Sequence, residues 1–194
     1  MTAHRIQELR DLVAVYDLNR HAFYEAWRMG TLPVERLASY AAGFDPFVAE
    51  VAAGWETAGR PDYAAEERQH HELWRTFSAA LGAGTDGQST QTRNLAAVAA
   101  NLFETEPEAI GALYAFEVQQ PVTSRSKLDG LKEHYHLDGA AREYFRVHAD
   151  DWTEARHLED LIREMPEPEF QRARGACGMM AAALWGGLDG VYYR

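Results

Sequence analysis

The apolar residues of this 194-residue chain recur at intervals of three and four residues over almost its whole length. This period is that of an α-helix, whereas a half-buried β-strand alternates every two residues. The sequence has no run of alternating β-branched residues and no Asn-Gly hairpin signal. Helices joined by short connections bury their apolar stripes against one another, so the sequence predicts a single all-α domain over residues 1–194, a bundle of about seven helices.

Turn and capping residues divide this pattern into helices. The third predicted helix starts at Leu32-Pro33, and we expect an interruption around Gly43 and Asp45-Pro46 because proline has no N–H to donate. Residues 82–88 form the one predicted flexible stretch. The long predicted helices that carry candidate site residues span 63–81, 105–135 and 138–164.

Charge and composition restrict the partners of this chain. The net charge of −11 argues against nucleic acid or an anionic membrane surface as a partner. The single cysteine, Cys177, has no partner for an internal disulfide, which fits a reducing compartment. The first eight residues lack an apolar signal core, and no segment reaches the roughly 18 apolar residues of a membrane span. We therefore expect a cytoplasmic protein.

The predicted helix over 63–81 carries a first candidate metal-binding pair. Glu67 and His70 are three residues apart and share a helix face, so both side chains could reach one metal ion. Glu66, four residues before His70, is the alternative carboxylate on that face. The competing interpretation is an ordinary solvated face, because this spacing is common on helices.

Glu117 is a second candidate because its neighbours on both sides are apolar. Pro121 follows four residues later and removes the N–H that would pair with the Glu117 carbonyl, so we expect the helix to kink or open there. An ion buried beside a broken helical turn is typical of a functional site. The alternative is a simple proline kink with Glu117 turned towards water.

The predicted helix over 138–164 supplies the remaining candidates. On a regular helix His148 and Asp151 fall within its apolar stripe, where neither is tolerated without a partner. His157 falls on the opposite side unless the helix unwinds after Asp151. Glu154 lies at the edge of the stripe and could take the place of Asp151.

Carboxylates mixed with imidazoles suit iron or manganese better than zinc, and the chain has no pair of cysteine ligands. Two neighbouring divalent ions would need a bridging carboxylate, which Glu67 or Glu117 could supply. Because two ferrous ions can each give an electron to O₂, this donor set points to oxidative chemistry and not to hydrolysis.

Several segments resemble the heme-oxygenase-like, TenA/PqqC-type superfamily, and within it the heme-oxygenase-like diiron oxidases and their CADD-like members. The most specific match runs from Ala112 to Gln119 and on through the Lys127–Leu131 segment. The other matching segments are His21–Trp27 with Gly30–Pro33, His70–Trp74, Tyr144–His148, and Ala183–Trp185 with Leu188–Tyr192.

The resemblance implies a seven-helix bundle that holds two iron ions, or one iron and one manganese, and reacts with O₂. It assigns five metal ligands: Glu67, His70, Glu117, His148 and His157. The sixth ligand is Asp151 or Glu154. We select Asp151, because its helical position is predicted to be buried and because its spacing resembles that of alkene-forming decarboxylases in the superfamily.

CADD-like proteins make p-aminobenzoate, a folate precursor, from one of their own tyrosines, with a lysine as the nitrogen donor. Tyr24, Tyr144 and Lys127 occupy the corresponding positions and are the predicted catalytic residues, whereas Phe116 departs from a tyrosine of the family pattern. The substrate is then a self-derived tyrosine or a small molecule, and an external electron donor is required. Alternatives are a metal-free TenA/PqqC-like enzyme and a non-catalytic helical binding protein. Apolar faces around Trp55 and Trp185 would allow a homodimer.

Overall fold

The fold is known from a computed structural model, which describes residues 2–84 and 88–193. Within these residues every regular element is helical, so the predicted all-α class is confirmed. Part of the stretch predicted to be flexible, residues 85–87, lies outside the described residues. The α-helices are α1 Thr2–Val15, α2 Ala22–Arg28, α3 Val34–Thr57, α4 Pro61–Ala80, α5 Thr90–Leu102, α6 Glu106–Glu117, α7 Gln120–Gly130, α8 Glu143–His148, α9 Thr153–Glu164 and α10 Glu167–Tyr192.

Helix α3 is continuous through Pro46, so the interruption predicted near Gly43 and Pro46 is wrong. Proline in a helix interior removes one hydrogen bond and costs about 3 kcal/mol. The residues around Pro46 are nevertheless buried, among them Phe44, Phe47 and Val48. Burial of such side chains contributes about 1.5–3 kcal/mol each, which offsets the cost of the proline.

Helix α10 is the long central element, and it packs against α6, α5, α3 and α1. Its contact with α6 depends on Gly111, where an added Cβ would lie 1.9 Å from the carbonyl oxygen of Ala173. A side chain at this position is therefore excluded, and the two backbones approach closely. This contact fixes α6, whose last residue is Glu117.

Two helix breaks lie side by side near the centre of the molecule. The first separates α6 from α7 at Val118-Gln119, which confirms the opening predicted from Pro121. The second separates α8 from α9 over residues 149–152, where a continuous helix over 138–164 was predicted. Asp150 adopts a left-handed conformation there (φ 64°), and its N–H donates to the Pro121 carbonyl at 3.2 Å. The helices predicted over 105–135 and 138–164 are thus each divided, whereas the helix predicted over 63–81 is the continuous α4.

Within the described residues, none of the helices combines the length and apolar character that crossing a lipid bilayer requires.

Candidate metal centre and the adjoining tyrosine cavity

Three of the predicted ligands come together between α4 and α8. Glu67, His70 and His148 each offer one ligand atom, and these atoms lie within 4.8 Å of one another. All three side chains are buried. Their convergence follows from the i, i+3 spacing on α4 and from the position of His148 as the last residue of α8.

His148 is held as the neutral imidazole tautomer that a metal ligand needs. Its Nδ1–H donates to the carbonyl of Tyr144 at 2.6 Å, which leaves the lone pair on Nε2. Nε2 is buried and has no hydrogen-bond partner. Burial lowers the pKa of His148 to about 4, and Glu67 opposes this only in part, so the imidazole is neutral at physiological pH.

His70 is paired directly with Glu67, whose Oε1 lies 2.9 Å from its Nδ1. Burial alone would lower the pKa of His70, but the hydrogen bond and the charge of Glu67 outweigh it and raise the pKa. Glu66 is peripheral: its carboxylate is 57% exposed and lies 3.9 Å from His70 Nε2. Glu67 is therefore the inner carboxylate of α4, and Glu66 the outer one.

Glu117 is buried at the end of α6, and neither of its carboxylate oxygens has a hydrogen-bond partner. The alternative in which Glu117 turns towards water is therefore wrong. Burial raises the pKa of Glu117 well above its usual range, and the charges of Glu154 and Glu67 raise it further. The nearby indole N–H of Trp55 opposes this rise. A buried carboxylate with unsatisfied oxygens is costly unless it is protonated or binds a cation.

Glu154, and not Asp151, is the buried carboxylate of α9. Glu154 is 8% exposed, and burial together with the charge of Glu67 raises its pKa to about 8. Asp151 is exposed, so the prediction that its position is buried is wrong. Its carboxylate accepts hydrogen bonds from Thr153 N–H at 2.9 Å and from Thr153 Oγ1 at 2.6 Å, which lower its pKa. The break before α9 shifts the helical phase and leaves Asp151 two residues before the helix, where its carboxylate binds the first helical residue, Thr153.

His157 lies three residues after Glu154 on α9 and is half-buried. Its Nε2 accepts a hydrogen bond from Arg60 Nε at 2.7 Å, and its ring lies 5.1 Å from that of Tyr63. Burial lowers the pKa of His157, and the charge of Arg60 lowers it further. His157 does not belong to the cluster of three ligands, so its predicted role as a ligand stays a prediction.

The donor set fits a divalent cation. The charge of Glu67 raises the pKa of both Glu117 and Glu154, and the charge of Glu154 raises that of Glu117, because like charges repel strongly at low dielectric. The carboxylate oxygens of Glu117 and the Nε2 atom of His148 carry lone pairs, but they accept no hydrogen bond from the described residues. A cation with oxygen and imidazole ligands, such as iron or manganese, would satisfy these atoms.

The predicted catalytic residues line an enclosed cavity next to this cluster. Tyr24, Lys127 and Tyr144 share it with Tyr40, and its volume of about 20 Å³ accommodates roughly one water molecule. Lys127 Nζ donates to the Tyr24 hydroxyl at 3.3 Å and lies 3.5 Å from that of Tyr40. The two tyrosine hydroxyls are hydrogen-bonded to each other at 3.0 Å.

Lys127 is buried among aromatic rings, and no carboxylate of residues 2–84 or 88–193 forms an ion pair with it. Its Nζ lies 4.8 Å from the ring centre of Tyr24 and 5.2 Å from that of Phe145. Burial lowers the pKa of Lys127 to about 7, so much of it is a neutral amine near neutrality. Burial likewise raises the pKa of Tyr24 above its usual range and keeps the phenol protonated.

Tyr144 connects the cavity with the candidate metal ligands. Its hydroxyl accepts a hydrogen bond from Gln120 Nε2 at 3.0 Å, and its ring centre lies 4.4 Å from that of His148. Sequence reasoning missed Tyr40 and Gln120. Tyr40 falls on the apolar face of α3, where the periodicity indicates only a core position, although a buried hydroxyl requires a partner.

A helical bundle that surrounds a carboxylate–imidazole cluster and an adjacent tyrosine–lysine cavity has the architecture of a metal-dependent redox enzyme. The sequence model of the iron-containing redox enzymes matches residues 52–187, and the chain belongs to this family. It is an oxidoreductase, as predicted from the donor set and the family resemblance.

Curated relatives support the same assignment. The chain is 29% identical to a 4-aminobenzoate synthase of Nitrosomonas europaea, over 96% of this chain and 90% of that protein. It is 26% identical to a 4-aminobenzoate synthase of Chlamydia pneumoniae, over 78% of this chain and 80% of that protein.

Solved structures confirm the predicted fold family. A TenA homologue from Pseudomonas syringae pv. tomato superposes with a TM-score of 0.80 at 15% identity, covering 99% of this chain and 92% of the other. A CADD-like protein of unknown function from Nostoc punctiforme gives a TM-score of 0.68 at 16% identity, with coverages of 98% and 96%.

Proposed function

We propose that this protein forms 4-aminobenzoate from its own Tyr24 and Lys127 in an O₂-dependent reaction at a site for two metal ions. The observation that carries this proposal is the buried contact of 3.3 Å between Lys127 Nζ and the Tyr24 hydroxyl oxygen. The names of the curated relatives support it.

The two side chains contain the atoms of the product. Tyrosine carries an oxygen and a methylene carbon at opposite ends of its ring, and 4-aminobenzoate carries an amino group and a carboxylate in the same positions. Conversion therefore requires nitrogen to replace oxygen at the ring carbon that bears the hydroxyl. Lys127 Nζ lies beside that hydroxyl, and its pKa of about 7 leaves a lone pair available near neutrality.

The remaining bond changes are oxidative. The phenol oxygen leaves as water when nitrogen replaces it. The Cα–Cβ bond of Tyr24 must break with Cα staying in the backbone, and Cβ must gain oxygen to become a carboxylate carbon. The Nζ–Cε bond of Lys127 must break oxidatively, which leaves Cε as an aldehyde and the nitrogen as the amino group. These changes require O₂ as the oxidant and electrons from an external donor. When bound, two iron ions, or an iron and a manganese ion, would supply the means of reducing O₂.

We assign the metal ligands as Glu67, His70, Glu117, His148, Glu154 and His157. Glu154 takes the place predicted for Asp151 because it is buried and interacts electrostatically with Glu67 and Glu117. His157 shares its helix face, since the two are three residues apart. Because Arg60 occupies Nε2 of His157, ligation either uses Nδ1 or breaks that hydrogen bond.

Tyr144 is then the group between the metal ligands and the reacting tyrosine. Its ring contacts His148 and it lines the cavity that contains Tyr24. Gln120 fixes its hydroxyl. We assign Tyr144 the transfer of electrons between the metal ligands and Tyr24. Its raised pKa keeps the phenol protonated, which is the form that can give up a hydrogen atom.

Isotope labelling tests the proposal. Protein that contains ring-¹³C tyrosine and ε-¹⁵N lysine is purified without metal, loaded with Fe(II) and exposed to O₂ with a reductant, and the released small molecules are analysed by mass spectrometry. We expect 4-aminobenzoate that contains both labels, and none from Tyr24→Phe. Tyr16→Phe is the matched control, because Tyr16 packs against Trp185 away from the cavity.

Other outcomes would contradict the proposal in distinct ways. Unlabelled 4-aminobenzoate that appears only with an added precursor would indicate an external small-molecule substrate. Doubly labelled product without any metal would exclude the metal-dependent reaction, and no product under any condition would exclude 4-aminobenzoate formation.

A further inference from the structure

A surface groove lies against the outer wall of the tyrosine cavity. It has a volume of about 280 Å³ and runs between the C-terminal half of α1 and the break that separates α6 from α7. Gln119 and Thr123 line both the groove and the enclosed cavity. A single layer of side chains therefore separates the solvent in the groove from Tyr24 and Lys127.

Gln119 is the adjustable part of this layer. Its Oε1 accepts from the Leu18 N–H at 2.9 Å and its Nε2 donates to the Ala115 carbonyl at 3.0 Å. Gln119 lies in the break between α6 and α7, where its backbone N–H and carbonyl are hydrogen-bonded to Phe116 and Thr123. Rotation of this side chain would break two neutral hydrogen bonds and no ion pair, so it could open the layer without unfolding either helix.

The proposed reaction requires such an opening. Tyr24 is only 4% exposed, and a cavity of about 20 Å³ is far smaller than a benzene ring. An aromatic product released from the Tyr24 position must pass through the protein to reach solvent. The layer formed by Gln119 and Thr123 is where the cavity meets a surface groove.

The groove has the chemistry of a site for a small aromatic acid. Val13, Val118 and Val122 provide apolar walls, and Asp17 also lines the groove. Arg10 lies at the groove with a side chain that is 54% exposed and pairs with Glu159 at 2.7 Å. Because Glu159 is shared with Arg163, the positive charge of Arg10 is only partly neutralised there. Its volume approaches the lower end of the range typical of ligand sites, about 300–1,000 Å³. A flat ring would pack against the valines while its carboxylate faces the guanidinium.

We propose that this groove is a binding site for a small aromatic carboxylate and that Gln119 is the gate through which the product enters it from the tyrosine cavity. The inference rests on the proposed function for the identity of the ligand. The groove itself does not depend on the metal ligands, and its occupancy is measurable without any reaction.

Direct binding tests the site. Metal-free protein is titrated with 4-aminobenzoate in equilibrium dialysis, with Val122→Trp and Ala14→Trp as blocking variants from opposite walls. Met179→Trp is the matched control, since Met179 is a similarly exposed side chain in another groove. We expect both blocking variants to weaken binding by at least about tenfold and the control to leave it unchanged. Aniline, which lacks the carboxylate, should bind at least about tenfold more weakly than 4-aminobenzoate.

Three results would overturn the inference: absence of binding to the unchanged protein, equal binding by the blocked variants, or equal binding of aniline. Because no turnover is involved, these results are independent of whether the protein makes 4-aminobenzoate. The gate is tested separately by the rate at which newly formed product leaves the protein after O₂ addition. Gln119→Ala should accelerate release several-fold and Val122→Trp should slow it, and unchanged rates in both variants would exclude this route.

Discussion

The imidazole rings of His70 and His148 lie 4.4 Å apart, centre to centre, at an interplanar angle of 64°. Their protonation differs: Glu67 raises the pKa of His70, whereas burial lowers that of His148 to about 4. In the absence of a cation, His70 is hydrogen-bonded to Glu67, and protons on Glu117 and Glu154 compensate their burial. A metal ion would take over the role of these protons.

Metal binding should therefore release protons. The pKa of Glu154 is about 8 and that of Glu117 is raised well above its usual range, so both are largely protonated near pH 7 and must ionise to ligate. We expect about two protons per chain on addition of Fe(II) or Mn(II) to metal-free protein, and a metal affinity that rises with pH up to about 8. Calorimetry in buffers of different ionisation enthalpy measures both, and an affinity independent of pH between about 6 and 9 would contradict the assignment.

Replacement of Glu117 should separate stability from function. A carboxyl whose pKa is raised in the folded state costs stability as pH rises above its unfolded pKa, because the folded protein then holds a proton that the unfolded chain has lost. Glu117→Gln removes this pH-dependent cost, so the metal-free variant should be more stable than the unchanged protein at pH 7, with no gain below about pH 4. The same variant should lose most of its metal affinity.

Denaturant unfolding of metal-free protein and metal analysis after dialysis check these two effects. Glu72→Gln on α4 is the control, because the ion pair of Glu72 with Arg75 is exposed and should contribute less than about 1 kcal/mol. A destabilised Glu117→Gln would show that Glu117 has a stabilising partner in the folded protein.

Part of the site could be predicted because its signals are local. The spacing of Glu67 and His70 places them on one face of any helix, and Pro121 opens the helix after Glu117 wherever that helix packs. Asp151 could not be placed, because the break before α9 has no proline or glycine. Contacts distant in sequence hold the break instead: Asp150 N–H binds the Pro121 carbonyl, and the Asp150 carboxylate pairs with Arg125.

The contacts of the tyrosine cavity also could not be predicted from local sequence signals. Tyr24 and Lys127 were selected by resemblance, and their contact links residues 103 positions apart in the chain. Nothing in the periodicity of α3 distinguishes Tyr40 from the apolar residues around it. The division into one domain, the external electron donor and the homodimer stay predictions.

The sixth ligand can be identified by comparing Glu154 with Asp151. Glu154→Gln should lower metal affinity by at least about tenfold, since it removes a buried anionic donor. Asp151→Ala should leave the affinity unchanged and cost about 1 kcal/mol of stability, because it removes two hydrogen bonds to Thr153 at the start of α9. Metal content after dialysis and thermal unfolding measure the two effects, and the reverse pattern would restore Asp151 as the ligand.

Tyr40 should assist Tyr24 without supplying atoms to the product. Tyr40→Phe removes the hydroxyl that lies 3.0 Å from that of Tyr24 and 3.5 Å from Lys127 Nζ, so both reacting groups lose one positioning contact. We expect doubly labelled 4-aminobenzoate to form several-fold more slowly, with a stability change of about 1 kcal/mol. Complete loss of product in a folded Tyr40→Phe protein would instead make Tyr40 a source of product atoms or an obligatory carrier of electrons.

Lys127 should leave a signature in the pH dependence of stability. Its pKa is about 7 in the folded protein and about 10.5 in the unfolded chain, so between these values the unfolded chain binds a proton that the folded protein lacks. The free energy of unfolding should therefore rise with pH over this window, by about 1.4 kcal/mol per pH unit from this group alone.

Lys127→Met lacks this rise and should be more stable than the unchanged protein at pH 6, where the folded protein must bury a charged amine. Urea unfolding at several pH values measures the difference between the two proteins, in which the contributions of other groups cancel. Lys132→Met, at an exposed position, should follow the unchanged protein. Parallel profiles for Lys127→Met and the unchanged protein would mean that the amine stays charged up to high pH and has no lone pair to offer the ring of Tyr24.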